Sequence, residues 1–180
     1  PHMREAGYGR IVLTASSSGL YGNFGQSNYG AAKAAMMGLM NVLHLEGARD
    51  NIRVNTLAPT AATRMTEKLM PPEVLELLQP ETITPGVLYL VSEDAPSRVI
   101  MGAGAGSFAV TKVYETLGAT FAGDDLTPEM VAANFDKISD TTGQQELTQR
   151  VHRKARRQRR KVFLGRPQRG AGRHGAAVVA

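Results

Sequence analysis

The chain of 180 residues carries 21 Lys and Arg against 16 Asp and Glu, has four scattered His, and contains no Cys. This composition excludes disulfides and thiolate metal sites and argues against a His-based metal site. No apolar run reaches about 18 residues, so no membrane span is expected. No charged-then-apolar N-terminal signal is present either, and a cytoplasmic protein is the default expectation.

The charge is distributed unevenly along the chain. Residues 150–180 hold eleven Lys and Arg and no acid, whereas residues 1–149 hold ten basic against 16 acidic residues. The asymmetry predicts a boundary near residue 145, with one domain over residues 1–145 and a basic tail over residues 146–180. Such a tail cannot bury a core, so disorder is expected. It is either fortuitous or a weak, non-specific binder of nucleic acid through phosphates.

In chain order, the first residues are predicted to end a helix at a Gly turn, and residues 11–15 to form a strand. A Ser- and Gly-rich loop over residues 16–29 leads into a helix predicted over residues 27–50, with Ser27 or Asn28 as its N-cap. This helix is apolar almost all round, which predicts burial on more than one side.

The remaining elements are also delimited by turn residues and helix-capping residues. Residues 52–57 are predicted as a strand, residues 60–80 as a loop with short helical pieces, and residues 85–91 as a helix that begins at Pro85. The last strand is expected over residues 98–101. A final helix is predicted from a Thr127 N-cap to about Ile138.

One spacing carries chemistry. Tyr29 and Lys33 are four residues apart, so in a helix they share one face. A phenol with a pKa of about 10 is a poor acid and a poor base at neutral pH, and an ammonium one turn away lowers that pKa. Ser16 ends the preceding strand, where its hydroxyl is expected to meet that of Tyr29. The set predicts proton exchange with an alcohol or ketone during hydride transfer, whereas the pair alone fits a surface contact.

With Asn55-x-x-x-Pro59 downstream, this set resembles the short-chain dehydrogenase/reductase superfamily. Residues 9–12, 19–29, 51–55 and 63–66 are similar to the (3R)-hydroxyacyl-CoA dehydrogenase domain of peroxisomal multifunctional enzyme type 2 and its bacterial relatives. The likeness runs from Pro1 to about Asp140.

The resemblance implies an α/β fold: the C-terminal half of a Rossmann-like doubly wound parallel sheet, with the N-terminal nucleotide-binding half absent. It implies that Tyr29 is the proton donor and acceptor, that Lys33 lowers its pKa and holds the nicotinamide ribose, and that Ser16 orients the substrate. The implied cofactor-binding residues are Tyr29, Lys33, Pro59, Ala61, Ala62, Thr63 and Arg64.

The function implied by this resemblance is that of an NAD-dependent oxidoreductase fragment, inactive as an isolated chain, acting on (3R)-3-hydroxyacyl-CoA and 3-oxoacyl-CoA. NADP stays open. A 3-oxoacyl carrier-protein reductase-like fragment is one alternative, and a non-catalytic interaction fragment with a nucleic-acid-binding tail is another. A homo-oligomer through helix 27–50 is also implied. A eukaryotic relative would be peroxisomal, although the last residues form no peroxisomal signal.

Residues 104–109 formally match the Gly-x-Gly-x-x-Ala fingerprint of dinucleotide binding, with Asp124 twenty residues after Gly104. After Asp125, however, only one helical segment precedes the basic tail, which is too little chain for a nucleotide-binding unit. A Gly-rich bend in the terminal strand is the other interpretation.

Overall fold

The computed structural model describes residues 1–64, 66, 70–121 and 126–147. These fall into two units, residues 1–112 and the residues from Val113 onward, which we describe separately. The predicted basic tail lies outside the described residues, so its disorder and the boundary near residue 145 stay predictions. In the described ranges, no helix has the length and apolar character needed to cross a bilayer. No cluster of three or more His, Asp or Glu there is placed to hold a metal ion.

The first unit is built on a four-stranded sheet of order β1-β2-β3-β4. The first three strands are parallel and the fourth is antiparallel: β1 (Gly9–Thr14), β2 (Ile52–Pro59), β3 (Ile100–Gly104) and β4 (Ser107–Thr111). Within the described residues, β1 pairs on one side only and is therefore an edge of the sheet.

Helices make the two parallel crossovers. The helical segments of this unit are α1 (His2–Glu5), α2 (Ser17–Tyr21), α3 (Ser27–Gly47) with a 3-10 turn at Ala48–Asp50, α4 (Pro72–Leu77), a 3-10 turn at Pro80–Thr82, and α5 (Thr84–Val91). Val54 of β2 packs with Met40 of α3, and Leu57 of β2 packs with Leu90 of α5. Because alternate strand residues point to opposite faces, α3 and α5 cover opposite faces. This arrangement confirms the predicted α/β fold with a doubly wound parallel sheet.

A buried amide joins β2 to the segment that enters β3. Asn55 is 0% exposed, and its Nδ2 donates to the carbonyl of Pro96 at 2.8 Å and lies 3.4 Å from that of Leu90. Its Oδ1 accepts from Val99 N at 3.0 Å. The side chain that the sequence placed in a functional motif therefore has a structural role: it ties β2 to the end of α5 and to the start of β3.

A histidine anchors α3 to the same segment. Nδ1 of His44 lies 2.8 Å from Oγ of Ser97, whose oxygen also accepts from Val54 N at 3.1 Å. Burial, and then the guanidinium of Arg98, hold the pKa of His44 below its usual range. The neutral imidazole suits this position, because its Nδ1 can accept a hydrogen bond from the Ser97 hydroxyl.

The segment before α3 differs from the predicted loop. Residues 17–21 form the short helix α2, whose N-cap Ser16 accepts from Ser18 N at 3.2 Å. The N-cap of α3 is Gln26 rather than Ser27 or Asn28.

Within this single chain α3 is buried on one side, and burial of a second side by a partner copy stays a prediction. Of its side chains, Met40 is buried, whereas Leu39, Val42 and Leu45 remain 41–52% exposed. One face of α3 covers the sheet, and the opposite apolar face is open to solvent.

The strand predicted to be the last was placed too early. Arg98 has a φ of +68°, which extended strands exclude, so β3 starts at Ile100 and continues to Gly104. A two-residue turn with positive φ at Ala105 (+49°) and Gly106 (+73°) then leads into β4, as in a type I′ hairpin. A dinucleotide fingerprint needs a helix after its Gly-rich turn. Because a strand follows here, the fingerprint interpretation is wrong.

The second unit, from Val113 onward, contains a small ribbon and two short helices. Its elements are β5 (Tyr114–Glu115), α6 (Pro128–Ala133), α7 (Phe135–Ser139) and β6 (Gln145–Glu146), with β5 and β6 antiparallel. Thr127 caps α6 through its side chain, which accepts from Met130 N at 3.2 Å, as predicted. The single helix expected to reach Ile138 is interrupted at Asn134, where φ is −115°.

Candidate functional site

The predicted site residues follow β1 (Ser16, then Tyr29 and Lys33) and β2 (the loop from Pro59 to Arg64), and both strands end on the same side of the sheet. Ala15, just after β1, donates its backbone N–H to Leu57 O of β2 at 2.7 Å. Ser16 follows Ala15 directly. On the neighbouring strand, β2 ends at Pro59, two residues after Leu57. The carboxyl ends of parallel strands are where open α/β sheets bind their ligands, so this edge is the candidate site.

The Tyr–Lys pair lies in the first turns of α3. Lys33 Nζ donates to the carbonyl oxygen of Thr14, at the end of β1, at 2.9 Å. The same Nζ is 5.7 Å from the centre of the Tyr29 ring, and 36% of Tyr29 is exposed. The ammonium thus lies between the strand end and a solvent-accessible tyrosine ring. The spacing of the two residues predicted that they share a helix face, but not the bond to Thr14 O.

Ser16 has a local role in addition to the predicted one. Its Oγ accepts the α2 cap bond from Ser18 N, which leaves the hydroxyl hydrogen available as a donor. The predicted meeting of the Ser16 and Tyr29 hydroxyls stays a prediction.

A glycine sets how closely α2 lies on α3. A Cβ at Gly19 would stand 2.7 Å from the backbone of Lys33 and Ala34, and one at Gly30 would stand 3.3 Å from Ser18 O. The missing side chain lets the segment after Ser16 lie directly beside the turn that carries Lys33. Sequence reasoning missed this contact, although a glycine close to a Tyr-x-x-x-Lys pair was a usable signal.

We predict that Gly19→Ala destabilises the protein by about 1–3 kcal/mol, because the new methyl meets backbone that cannot rotate away. The matched control is Gly38→Ala, also helical, where a Cβ meets nothing within 4 Å. That control is expected to raise stability by up to about 1 kcal/mol, from the helix preference of Ala over Gly. Urea unfolding followed by circular dichroism measures both, and equal effects of the two substitutions would contradict the close-packing explanation.

The loop predicted to contact the nicotinamide begins with an anchored backbone. Thr60 N donates to Ala103 O at 2.8 Å, and Ala62 N donates to Leu78 O at 2.7 Å. A Cβ at Gly104 would stand 3.1 Å from Thr60 O, so β3 approaches this loop closely. These contacts fix the start of the loop beside the end of β2.

A turn built by threonines completes the loop. Thr63 N donates to Oγ1 of Thr66 at 2.8 Å, and that hydroxyl donates to Ala61 O at 2.9 Å. Arg64 is exposed within the turn. Pro59 ends β2, and Ala61, Ala62, Thr63 and Arg64 follow it in the loop beside the carboxyl ends of the strands.

The chain is similar in sequence to known dehydrogenases. Residues 1–73 match the family model for short chain dehydrogenases. The chain is 49% identical over 146 residues to a short-chain type dehydrogenase/reductase of Mycobacterium tuberculosis, covering 79% of this chain and 50% of that protein. It is 44% identical over 142 residues to peroxisomal multifunctional enzyme type 2 of Mus musculus, covering 77% of this chain and 19% of that protein.

A solved structure agrees over most of the chain. Full-length peroxisomal multifunctional enzyme type 2 from Drosophila melanogaster superposes with a TM-score of 0.78 and 32% identity, over 91% of this chain and 30% of that one. The chain spans half or less of the length of the curated relatives it matches here. On the matched family model, the aligned relatives and the shared fold, the protein belongs to the short-chain dehydrogenase/reductase family.

Proposed function

We propose that this chain carries the proton-transfer side of a dehydrogenase that interconverts (3R)-3-hydroxyacyl-CoA and 3-oxoacyl-CoA. The observation that supports it most is the placement of Lys33: its Nζ is bonded to Thr14 O at the end of β1 and lies one helical turn from an exposed phenol, that of Tyr29. The substrate class rests on the similarity to multifunctional enzymes of peroxisomes. A 3-oxoacyl carrier-protein reductase is the alternative within the same chemistry.

The residues present fit a nicotinamide dinucleotide. An ammonium has three N–H donors, and the bond to Thr14 O uses one of them, which leaves two for the hydroxyls of a ribose. Tyr29 and Lys33 would hold that ribose, and the turn from Pro59 to Arg64 would contact the nicotinamide. The bound cofactor would supply the hydride acceptor. We propose NAD, by similarity to the family, over NADP.

In this proposal the chain's own residues handle the proton. The Tyr29 hydroxyl exchanges a proton with the substrate oxygen while hydride leaves or joins the carbon that bears it. Lys33 stabilises the phenolate electrostatically and holds it beside the strand end. The Ser16 hydroxyl donates a hydrogen bond to the substrate oxygen and so orients the carbonyl.

The isolated chain is proposed to be inactive. In the described residues, no Gly-x-Gly turn leads from a strand into a helix, the arrangement that holds a pyrophosphate. Without that anchor, hydride transfer loses positioning worth roughly 7–11 kcal/mol of barrier reduction.

A chimera tests the proposal: the N-terminal part of the mycobacterial relative is joined ahead of Pro1, and oxidation of NADH by acetoacetyl-CoA is followed. Turnover by the chimera, and weak, unsaturated NADH binding by the chain alone, is the expected result. Saturable micromolar NADH binding by the 180-residue chain would contradict its proposed inactivity. A folded chimera without turnover would contradict the proposed reaction.

Self-association through α3 is part of the same proposal. The exposed apolar side chains of Leu39, Val42 and Leu45 leave an unpartnered face on this helix, and such faces favour association. Weak nucleic-acid binding by the basic tail stays a prediction, since residues 148–180 lie outside the described part. The alternative function, that of a non-catalytic interaction fragment, predicts that the chimera does not oxidise NADH.

A further inference from the structure

A single hydroxyl closes the turn that follows β2. Oγ1 of Thr66 accepts the backbone N–H of Thr63 at 2.8 Å and donates to Ala61 O at 2.9 Å. The carbonyl of Thr63 in turn accepts from Thr66 N at 2.8 Å. One side chain therefore ties the backbone on both sides of Ala62, within the stretch proposed to contact the nicotinamide.

A second threonine shows that these bonds go beyond the ordinary local motif, in which a threonine bonds a carbonyl three residues back. Thr82 makes that motif alone: its N and Oγ1 donate to Gln79 O at 3.0 and 2.6 Å. Thr66 has the corresponding contacts with Thr63 O, at 2.8 and 3.1 Å. Its hydroxyl makes the bonds to Ala61 O and from Thr63 N in addition, and both of these are directed back into the loop after β2.

The anchoring of this loop on the sheet does not depend on the Thr66 hydroxyl. The backbone N–H groups of Thr60 and Ala62 bond independently, to β3 and to the residue that follows α4. Thr63 and Arg64 are exposed, so water can satisfy the backbone groups of the turn if the hydroxyl is removed. Loss of the hydroxyl should therefore loosen residues 61–64 without unfolding the protein.

The position of the turn sets the consequence for binding. It follows β2 on the side of the sheet where the parallel strands have their carboxyl ends, which is where open α/β sheets bind ligands. A loop that becomes ordered only on binding costs free energy of association, whereas a loop that is already ordered does not. A turn held closed by Thr66 thus strengthens the binding of the group that the turn contacts.

We propose that Thr66 is a positioning residue, whose hydroxyl holds residues 61–63 in the conformation that receives the nicotinamide ring of the cofactor. Thr66 does not itself touch the ring. The inference rests on the proposed function, and it adds a residue outside the stretch 59–64 that this function assigns to the cofactor. ADP-ribose has the pyrophosphate and both riboses but no nicotinamide, so its binding should not depend on Thr66.

The first experiment uses the 180-residue chain without ligand. Thr66→Val keeps the shape of the side chain and removes the hydroxyl, so hydrogen exchange at the Thr63 amide, measured by NMR, should accelerate about ten-fold. Thr66→Ser retains the hydroxyl and should exchange as the parent does. Unchanged exchange at Thr63 in Thr66→Val would overturn the proposal.

Urea unfolding of the same variants separates a positioning role from a general structural one. Thr82→Val is the matched control, because it removes a hydroxyl that makes only the local bond to Gln79 O. Thr66→Val should lower stability no more than this control does. A larger loss would show that the Thr66 hydroxyl supports the fold as a whole, and would overturn the proposal.

The second experiment measures the binding of NADH and of ADP-ribose to the chimera by calorimetry. Thr66→Val should raise the Kd for NADH about ten-fold and leave the Kd for ADP-ribose unchanged. Thr66→Ser should restore the parent value, and Thr82→Val should change neither. An equal change for both ligands, or none for either, would overturn the inference and leave the proposed function standing.

Turnover distinguishes a failure of this inference from a failure of the proposed function. In Thr66→Val, the KM for NADH should rise about ten-fold and the KM for acetoacetyl-CoA should stay unchanged. A folded parent chimera that binds no NADH would contradict both proposals. A chimera that binds NADH with the expected dependence on Thr66, but does not reduce acetoacetyl-CoA, would contradict the proposed reaction and support the role of Thr66.

Discussion

Tyr29→Phe in the chimera is expected to lower kcat by about 10²–10⁴, the usual contribution of general acid–base catalysis. The substitution keeps the ring and removes the hydroxyl, which is the group proposed to exchange a proton with the substrate. Lys33 Nζ keeps its bond to Thr14 O, so the packing of α3 on the strand end should survive. Steady-state rates of NADH oxidation, with circular dichroism to check the fold, measure the effect.

The matched control is Tyr8→Phe. Tyr8 is 43% exposed and its ring is stacked by Arg10 at 4.2 Å, before β1 begins. It lies at the opposite end of β1 from Lys33, so its loss of a hydroxyl should leave kcat nearly unchanged. Near-normal turnover of Tyr29→Phe would reject Tyr29 as the acid and base.

The second large effect is expected from Asn55→Ala, which should destabilise the protein by about 3 kcal/mol or more. The substitution leaves Val99 N and the carbonyl of Pro96 without the bonds that Asn55 makes at 3.0 and 2.8 Å. Each buried group left unsatisfied costs about 1–3 kcal/mol, and the lost volume adds a cavity term. Urea unfolding of the 180-residue chain measures the change.

Two variants make this result specific. Asn23→Ala, at an exposed position in the loop before α3, removes the same side chain and should cost little. Asn55→Asp keeps an acceptor for Val99 N but loses the donor to Pro96 O, so it should also be strongly destabilising. A mild effect at Asn55, comparable to that at Asn23, would contradict the view that this amide ties β2 to β3.

That Tyr29 and Lys33 share a helix face could be predicted from the sequence, because it depends on helix geometry alone. Four residues make about one turn wherever the helix is placed, and the run of apolar residues after Tyr29 indicated that helix. The acceptor of the Lys33 hydrogen bond could not be predicted from the sequence. Thr14 O is a backbone atom nineteen residues away, and nothing in the residue type of Thr14 marks its carbonyl.

Two features of the structure were not foreseen in full: the chain reversal after β3 and the exposure of one face of α3 in the single chain. The Gly-Ala-Gly segment forms a bend, as one interpretation held. The sequence analysis did not predict the strand after it, although the alternating residues 107–111 are typical of the second strand of a hairpin. The apolar character of α3 indicated burial on more than one side, yet in the single chain Leu39, Val42 and Leu45 stay exposed. Composition reports how apolar a helix is, but not how many neighbours the chain provides to cover it.

The sequence by itself predicted the α/β class, through its resemblance to a known family, and most of the main helices and strands, through local periodicity. The proton-handling role of Ser16, Tyr29 and Lys33 stays a prediction. Only the tertiary structure decided that Gly19 brings α2 against Lys33, that Asn55 is a buried tie, and that Oε1 of Gln26 is left without a partner. Each of those depends on contacts between segments distant in sequence or on the burial of a single atom. Such properties arise only when the crossover helices pack on the sheet.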